Sequence, residues 1–488
     1  MEIPCDGRRM EWRVQREQLE EILRLQRADF LADGPPDATA RIDRIDRCIA
    51  LLKENSGRFE TAVSADFGNR SRHATLLTDI MTPVAALQHS RKHLRRWMRT
   101  ERRPVDPRIL GLFGARAEVH FQPKGVVGIV SPWNFPVGLV FSPLANALAA
   151  GNRAMIKPSE LTPRTSDLLQ ELVAVRFDKA EVAVVTGGVE TGAAFTALPF
   201  DHLIFTGAGS IARHVMRAAS ENLVPLTLEL GGKSPVVIGK GVDIRLAAER
   251  IMAGKILNAG QICLAPDHVY LPDAQEAGFV DAATAAVGRM LPTIRDNPDY
   301  SAIISDRHYE RLNGYLADAR AKGARVVEIN PAGENFSQQE HRRIPPTLVL
   351  DATFDMDIMK DELFGPLLPV MRYSAMDTVV AAINAADRPL ALYYFGTDDA
   401  ELALLKTRTT SGGICVNDVI MHCAQENLPF GGIGPSGMGA YHGRDGFVEF
   451  SHRKAVYRQI GRDMGPLKML RPPYDDRVRK LVRSVIGR

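Results

Sequence analysis

Between Gly125 and Leu230 the chain alternates short apolar runs with helical patterns, and this alternation limits the fold more than any other feature of its 488 residues. Val126–Val130, Ala154–Lys157, Val182–Thr186, His202–Thr206 and Leu226–Leu230 read as near-continuous apolar strands of the kind buried on both faces. The segments Phe141–Ala150, Pro163–Arg176, Glu190–Ala197 and Ser210–Ala219 between them carry helical spacing. Strands joined through helices run parallel, so the pattern predicts an α/β fold with a doubly wound parallel sheet. A second α/β pattern runs from Pro235 to about Cys415, with strands at Val269–Leu271, Thr347–Leu350 and Leu368–Tyr373 and a helix at Tyr309–Lys322. The first hundred residues read as helical, with apolar positions at Ile42, Ile45, Ile49 and Leu52. Arg116–Pro123 alternates like an edge strand or hairpin. The glycine-rich stretch Gly431–Gly439, followed by Val448–Phe450, supplies a second strand candidate.

Composition narrows the function classes. A net charge of +3, with no basic patch interleaved with aromatic residues, gives no footprint for nucleic acid. Five scattered cysteines (Cys5, Cys48, Cys263, Cys415, Cys423) do not make a disulfide framework. There is no Cys-x-x-Cys or His-Glu-x-x-His, so no metal is expected. Arg8, Arg9, Glu11, Arg13 and Arg16 are not followed by an apolar core, which excludes a signal peptide. No apolar run reaches the roughly 18 residues of a membrane span. A cytoplasmic protein is expected. Its tail, Tyr474–Arg488, mixes basic and apolar residues like a short amphipathic helix.

Four motifs carry chemistry. Gly260-Gln261-Ile262-Cys263-Leu264-Ala265-Pro266-Asp267 sets a thiol between a helix end and a proline, as a nucleophile on a tight turn requires. Ser131-Pro132-Trp133-Asn134-Phe135-Pro136 follows an apolar strand, at the carboxyl end where open α/β sheets place ligands, and the Asn134 amide suits a developing oxyanion. Thr227-Leu228-Glu229-Leu230-Gly231-Gly232-Lys233 ends a strand on a carboxylate fit to take a proton from water or thiol. Its Gly-Lys-Ser ending is not a P-loop, because position 227 is Thr where that motif needs glycine. Asp361-Glu362-Leu363-Phe364-Gly365-Pro366 offers a carboxylate for a sugar hydroxyl and a ring for a flat heteroaromatic.

In this order the four motifs resemble the aldehyde dehydrogenase superfamily, from about Leu25 to the C-terminus. Cys263–Asp267, Phe364–Pro366 and Leu428–Gly439 resemble its class 3 branch. Asp29–Pro36 and His93–Met98 resemble the bacterial coniferyl aldehyde dehydrogenases. The resemblance implies NAD(P)-dependent oxidation of an aldehyde, of coniferyl or other aromatic type, to the acid through a cysteine thiohemiacetal and thioester. It implies Cys263, Glu229 and Asn134 as catalytic residues. Trp133, Lys157, Glu160, Gly207, Ala208, Glu362 and Phe364 are implied on the cofactor side, with NAD as cofactor and NADP as the alternative. It further implies a homodimer and three parts. Residues 15–115 and 126–232 bind the cofactor, 233–416 form a second α/β catalytic domain, and 116–125 with 417–488 make a small β oligomerisation element and tail. A medium-chain aliphatic aldehyde is the competing substrate. Glu229 supplies a hydrolytic base that acylating relatives lack, and the complete Asn134, Glu229 and Cys263 set argues against a non-catalytic relative.

One segment misleads when read alone. Gly207-Ala208-Gly209-Ser210-Ile211-Ala212 matches the G-x-G-x-x-A dinucleotide fingerprint, and Glu229 sits near the spacing expected of its ribose-binding acid. The resemblance instead gives Glu229 to catalysis and the adenosine ribose to Lys157 and Glu160. Ala208 and Ala212 stand where relatives usually carry a hydroxyl and a glycine, so a side-chain contact to the pyrophosphate is lost.

Overall fold

The computed structural model describes residues 5–337, 339–461 and 465–487. The side chain of Cys5 and all of Arg488 lie outside the described part. In chain order the strands are β1 (Glu101–Arg103), β2 (Arg116–Pro123), β3 (Val126–Val130), β4 (Arg153–Lys157), β5 (Val182–Val184), β6 (His202–Thr206), β7 (Leu226–Glu229) and β8 (Pro235–Ile238). They continue with β9 (His268–Pro272), β10 (Arg325–Glu328), β11 (Thr347–Leu350), β12 (Leu367–Tyr373), β13 (Ala391–Phe395), β14 (Gly413–Val416), β15 (Gly437–Met438) and β16 (Ser451–Arg458).

One compact unit runs up to Trp97 and from Pro123 to Ser451. It holds two sheets. The first has the order β15-β7-β6-β3-β4-β5, parallel except where β15 pairs with β7. Its central strands read as apolar runs because both faces are covered. Val126, Val127, Ile129, Ala154, Met155 and Ile156 are all buried. The N-terminal helix Cys5–Asp33 lays Leu19 and Leu23 into the same core as Val126, Leu203 and Phe205. It is also tied to β4 through the buried Arg153, which pairs with Asp29 at 2.6 Å and Asp33 at 2.9 Å.

The second sheet has the order β10-β11-β12-β9-β8-β13-β14 and is parallel apart from its edge strand β10. Its core gathers Val236, Ile251, Val269, Phe279, Leu368 and Tyr393. Asp243 caps the helix Ile244–Ile256 and Ser305 caps Asp306–Ala321, each accepting first-turn backbone N–H groups. The Ser305 cap starts the second helix three residues before the first apolar position of its pattern.

The other unit comprises Met98–Gln122 and the chain from His452 onward. Its sheet has the order β1-β2-β16. Arg116–Pro123 is a strand as expected. The second strand is not Val448–Phe450, which closes the helix Gly443–Glu449, but the following Ser451–Arg458. Two apolar residues around Glu449 fit a helix end as well as a strand, and Ser451–Arg458, exposed at all but its first residue, has no apolar face to mark it as a strand. The tail forms the helix Asp476–Ile486, none of whose residues is buried. No helix among the described residues is long and apolar enough to cross a membrane.

Candidate active site

The thiol of Cys263 follows an abrupt turn. The helix Ile244–Ile256 stops, and Asn258, Ala259 and Gly260 all take positive φ. Asn adopts that region readily and Ala does so at a cost, which marks a conformation held by its surroundings. Gly260 has no alternative: a Cβ there would lie 2.2 Å from the Gly365 carbonyl oxygen. Cys263 itself is half-buried and free. Burial pushes its thiol up, and the charges of Glu362, Cys423 and Glu229 push the same way.

Asn134 lies on the loop after β3 and is 3% exposed. Its Nδ2 donates to the carbonyl of Gln261, two residues before the thiol, at 3.1 Å. That uses one of the two amide hydrogens and leaves the second for a ligand. Its own carbonyl accepts from Arg70 Nη1 at 2.6 Å and from Asn258 Nδ2 at 3.1 Å. Arg70 is in turn paired with Asp79 at 2.6 Å, both side chains fully buried. Asp79 Oδ1 accepts the backbone N–H groups of Val137 and Gly138 at 3.0 Å each. The N-terminal helical region thus sets the loop that carries Asn134. Removing one member of such a buried pair costs about 3–5 kcal/mol. Neither Arg70 nor Asp79 belongs to a recognisable sequence motif, and sequence reasoning missed both.

Glu229 ends β7, opposite Thr206 in the register with β6, and its carbonyl accepts the N–H of Gly207 at 3.0 Å. The side chain is 2% exposed, and neither carboxylate oxygen has a hydrogen-bond partner. Burial raises this carboxyl well above its usual range, and the charge of Glu449 adds to that. An unpartnered buried carboxylate is costly unless a ligand or water meets it, and its raised basicity suits proton abstraction.

The Gly231-Gly232 step after Glu229 gives Glu362 room. A Cβ on Gly231 would lie 2.2 Å from a Glu362 carboxylate oxygen, and the Gly232 backbone N–H bonds to that carboxylate. Burial first, then the charge of Asp267, lift Glu362 to about 8. A buried clamp holds this loop to the thiol loop. Lys233 Nζ reaches Asp267 Oδ1 at 2.6 Å and the carbonyls of Ile358 and Asp361 at 2.9 and 2.8 Å, while Asp267 Oδ2 accepts Leu363 N–H at 3.0 Å. Phe364 sits at φ 49° and meets Trp133 edge-on, with ring centroids 5.3 Å apart.

Trp133, Lys157, Glu160, Gly207 and Ala208 line one cavity of about 630 Å³ at the carboxyl ends of the first sheet. Glu362 and Phe364 do not line it, and the Trp133–Phe364 ring contact connects them to its rim. Lys157 Nζ bonds Glu160 Oε2 at 2.8 Å. Burial pushes Glu160 up, but this bond, a backbone N–H and the Lys157 charge together outweigh it, and the carboxyl is lowered overall. The helix Gly209–Ser220 opens on Ala208, with no side chain capping its first N–H groups. The cavity therefore has a donor and an acceptor for sugar hydroxyls, apolar walls at Val189, Ala193 and Ile211, and an uncapped helix start for an anion. These features fit a dinucleotide. Glu160 borders this cavity and Glu229 does not, which is where the fingerprint read alone goes astray. Among the described residues no cluster of His, Cys, Asp or Glu is arranged to hold a metal.

The remaining aromatic residues divide. Phe447 is core, packed against Trp97. Tyr441 is buried, and the charges of Glu229 and Cys263 bear on its hydroxyl after burial itself. Cys423 is not the bystander its strand-end context suggests. It packs against the same core as Cys263, and its charge bears on that thiol.

The sequence matches the profile of the Aldehyde dehydrogenase family over residues 13–456. It is 60% identical over 468 residues to a protein of Caulobacter vibrioides named probable coniferyl aldehyde dehydrogenase, covering 96% of each chain. It is 50% identical to the coniferyl aldehyde dehydrogenase of a Pseudomonas species, covering 96% of this chain and 97% of the other. Among solved structures, the substrate-bound state of AldH from Staphylococcus aureus superimposes with a TM-score of 0.89 at 34% identity, covering 96% and 99% of the two chains. An aldehyde dehydrogenase of Mycobacterium tuberculosis in complex with NAD+ gives a TM-score of 0.80 at 28% identity, covering 92% of each.

Proposed function

Since this chain belongs to the aldehyde dehydrogenase family and oxidises an aldehyde to its acid with NAD or NADP, we propose that its substrate is a coniferyl-type aromatic aldehyde and that Cys263, Asn134 and Glu229 carry out the chemistry. The 60% identity to a protein named for that aldehyde carries the substrate reading.

In the reaction proposed, Glu229 takes the Cys263 proton and the sulfur bonds to the aldehyde carbon. The second Asn134 amide hydrogen and the backbone N–H of Cys263 donate to the oxyanion, each worth about 3 kcal/mol in such sites. The cofactor, when bound, accepts the hydride that the thiohemiacetal carbon loses. Once Glu229 has released the thiol proton to solvent, it takes a proton from water as the water oxygen bonds to the thioester carbon. The adduct then collapses, the carbon–sulfur bond breaks to free the acid, and Glu229 returns its proton to the Cys263 sulfur. Lys157 and Glu160 hold the adenosine ribose, and the start of the helix Gly209–Ser220 holds the pyrophosphate through backbone N–H groups. Glu362 holds the second ribose, and Trp133 and Phe364 flank the ring beside it.

In a homodimer working in the cytoplasm, residues 15–115 with 126–232 serve the cofactor and 233–416 the thiol chemistry. Of 116–125 and 417–488, the stretches 116–122 and from His452 onward serve assembly, and 417–451 belong with the unit that carries Cys263. Light scattering that gives a monomer at micromolar concentration overturns the dimer.

Comparing kcat/KM for coniferaldehyde, benzaldehyde and hexanal with both cofactors tests the substrate reading. Coniferaldehyde is expected to lead and NAD to be used at least as well as NADP, because Glu160 repels a 2′-phosphate. A clear lead for hexanal defeats the aromatic assignment and leaves the aldehyde chemistry standing. A tenfold preference for NADP defeats the Glu160 assignment.

The clamp gives a prediction with a sign. The charge of Asp267 helps hold Glu362 near 8, while that of Lys233 opposes it. Asp267→Asn removes only the first influence, so Glu362 ionises at lower pH. The pH at which the KM for NAD changes is expected to fall from near 8, with a loss of stability of about 3–5 kcal/mol from the unpaired Lys233. An unmoved pH profile of KM separates Glu362 from cofactor binding.

A further inference from the structure

Buried polar atoms in folded proteins nearly always have partners, and exceptions point to an absent ligand or water. Two histidines near the thiol are such exceptions. Both ring nitrogens of His422 are sequestered without a partner, and so is Nδ1 of His442. Both rings contact Phe430. His442 stacks on it with centroids 5.0 Å apart and planes 17° apart, and His422 lies 6.4 Å from it on its other contact. His442 also sits at φ 92°, a strained region for a non-glycine residue that persists only where the surroundings impose it.

This shelf is tied to the nucleophile loop at one end and to Tyr441 at the other. At one end Tyr393 lies 6.1 Å from His422, and its hydroxyl donates at 2.6 Å to the carbonyl of Leu264, the residue after Cys263. At the other end Tyr441 meets His442 edge-on at 4.7 Å and Phe430 at 5.8 Å. The backbones of Phe430 and Tyr441 bond to each other in both directions at 2.8 Å, which fixes the shelf as a unit.

We propose that His422 and His442, both in contact with the Phe430 ring, form a hydrogen-bonding subsite for the ring hydroxyl of a phenolic aldehyde whose carbonyl is at Cys263. This rests on the aromatic-aldehyde reading above and specifies which ring substituent is recognised. Burial lowers both imidazoles to about 4, and the charge of His422 adds to the effect on His442, so both rings are neutral at pH 7. A neutral imidazole presents one N–H and one lone pair. A phenol hydroxyl donates to the lone pair and accepts from an N–H, and a neighbouring methoxy oxygen accepts from the other ring. An aliphatic tail would leave these nitrogens unpaired, as would a phenyl ring without a hydroxyl. Sites built to hydrogen-bond a hydroxyl discriminate strongly against analogues that lack it.

The test compares kcat/KM for coniferaldehyde with that for cinnamaldehyde, which keeps the ring and the conjugated aldehyde but lacks both oxygens. The wild-type ratio is expected to be roughly tenfold or more. His422→Phe, which keeps an aromatic ring and loses both nitrogens, is expected to bring the ratio close to one through a rise in KM for coniferaldehyde. His442→Asn, which tolerates positive φ and keeps one donor and one acceptor, is expected to fall between. A wild-type preference that survives His422→Phe and His442→Asn undiminished overturns the subsite. So does a wild-type ratio near one while both substrates still exceed hexanal, and in that case the aromatic reading stands. Hexanal exceeding both coniferaldehyde and cinnamaldehyde in the wild type removes the aromatic reading and the subsite together.

Discussion

Cys263→Ser is expected to reduce dehydrogenase and esterase turnover to below about one per cent while the protein still folds and binds NAD. A hydroxyl in the same place is a far weaker nucleophile without its own activating base arrangement, and the reaction proposed runs entirely through a sulfur–carbon bond. The replacement is nearly isosteric, and the thiol is free and half-buried, so the fold has little to lose. Burial raises the thiol above its ordinary range, and Glu362, Cys423 and Glu229 push the same way, so a base that takes its proton is part of the reaction proposed. The other thiols provide controls. Cys48 is buried on the helix Ala38–Glu54, and burial raises its thiol far above the ordinary range. Cys423 is the demanding control because it packs beside Cys263. Cys423→Ser is expected to keep turnover, and if it proved as inactive as Cys263→Ser, the nucleophile would need reassigning. Release of nitrophenol from an activated ester, without cofactor, reads the thiol apart from hydride transfer.

Glu229→Gln has the second-largest expected effect, and it falls unevenly. Water must lose a proton as it attacks the thioester, and general bases contribute about 10²–10⁴-fold. The expected trace is a rapid burst of reduced cofactor, near one equivalent per site, followed by a steady state slower by that factor. In the wild type the slow phase rises with pH through the raised ionisation of Glu229, because only the carboxylate accepts a proton. The Gln variant loses that limb. Equal loss in burst and steady state would mean that Glu229 acts mainly on the thiol. An unaffected rate would transfer the base to Glu362, the other buried carboxylate raised above its usual range beside this thiol.

The sequence disclosed the sheets better than the scaffolding of the site. Val126–Val130, His202–Thr206 and Thr347–Leu350 agree in both limits, because each is an apolar run cut off by glycine, proline or a polar break. Val182–Thr186 is shorter in the structure, ending at Val184; Val185 extends the apolar run and still donates its N–H to the Ile156 carbonyl at 2.8 Å, so the limit is hard to place from sequence. Ser451–Arg458 escaped notice because an exposed strand has no apolar face to alternate. The Gly231-Gly232 pair was visible as a motif, but its reason, the approach of the Glu362 carboxylate, was not. Arg70, Asp79, Lys233 and Asp267 look like ordinary charges until the fold buries them. Their partners lie elsewhere in the chain, and local periodicity carries no information about such pairs.

The hydrogen bonds that hold Asn134 and the thiol loop also bear on when this protein becomes active during folding. Asn134 to Gln261 joins residues 127 apart, Arg70 to Asn134 joins residues 64 apart, and Leu363 to Asp267 joins residues 96 apart. Closing such loops costs chain entropy before any of these contacts forms, and folds that depend on distant contacts assemble slowly. Helices and local turns can be complete while the thiol still lacks its oxyanion donor. In a refolding experiment helical circular dichroism is expected to recover before esterase activity. Turnover would then report the last long-range closures of the chain, and a partly folded chain would carry Cys263 without the means to use it.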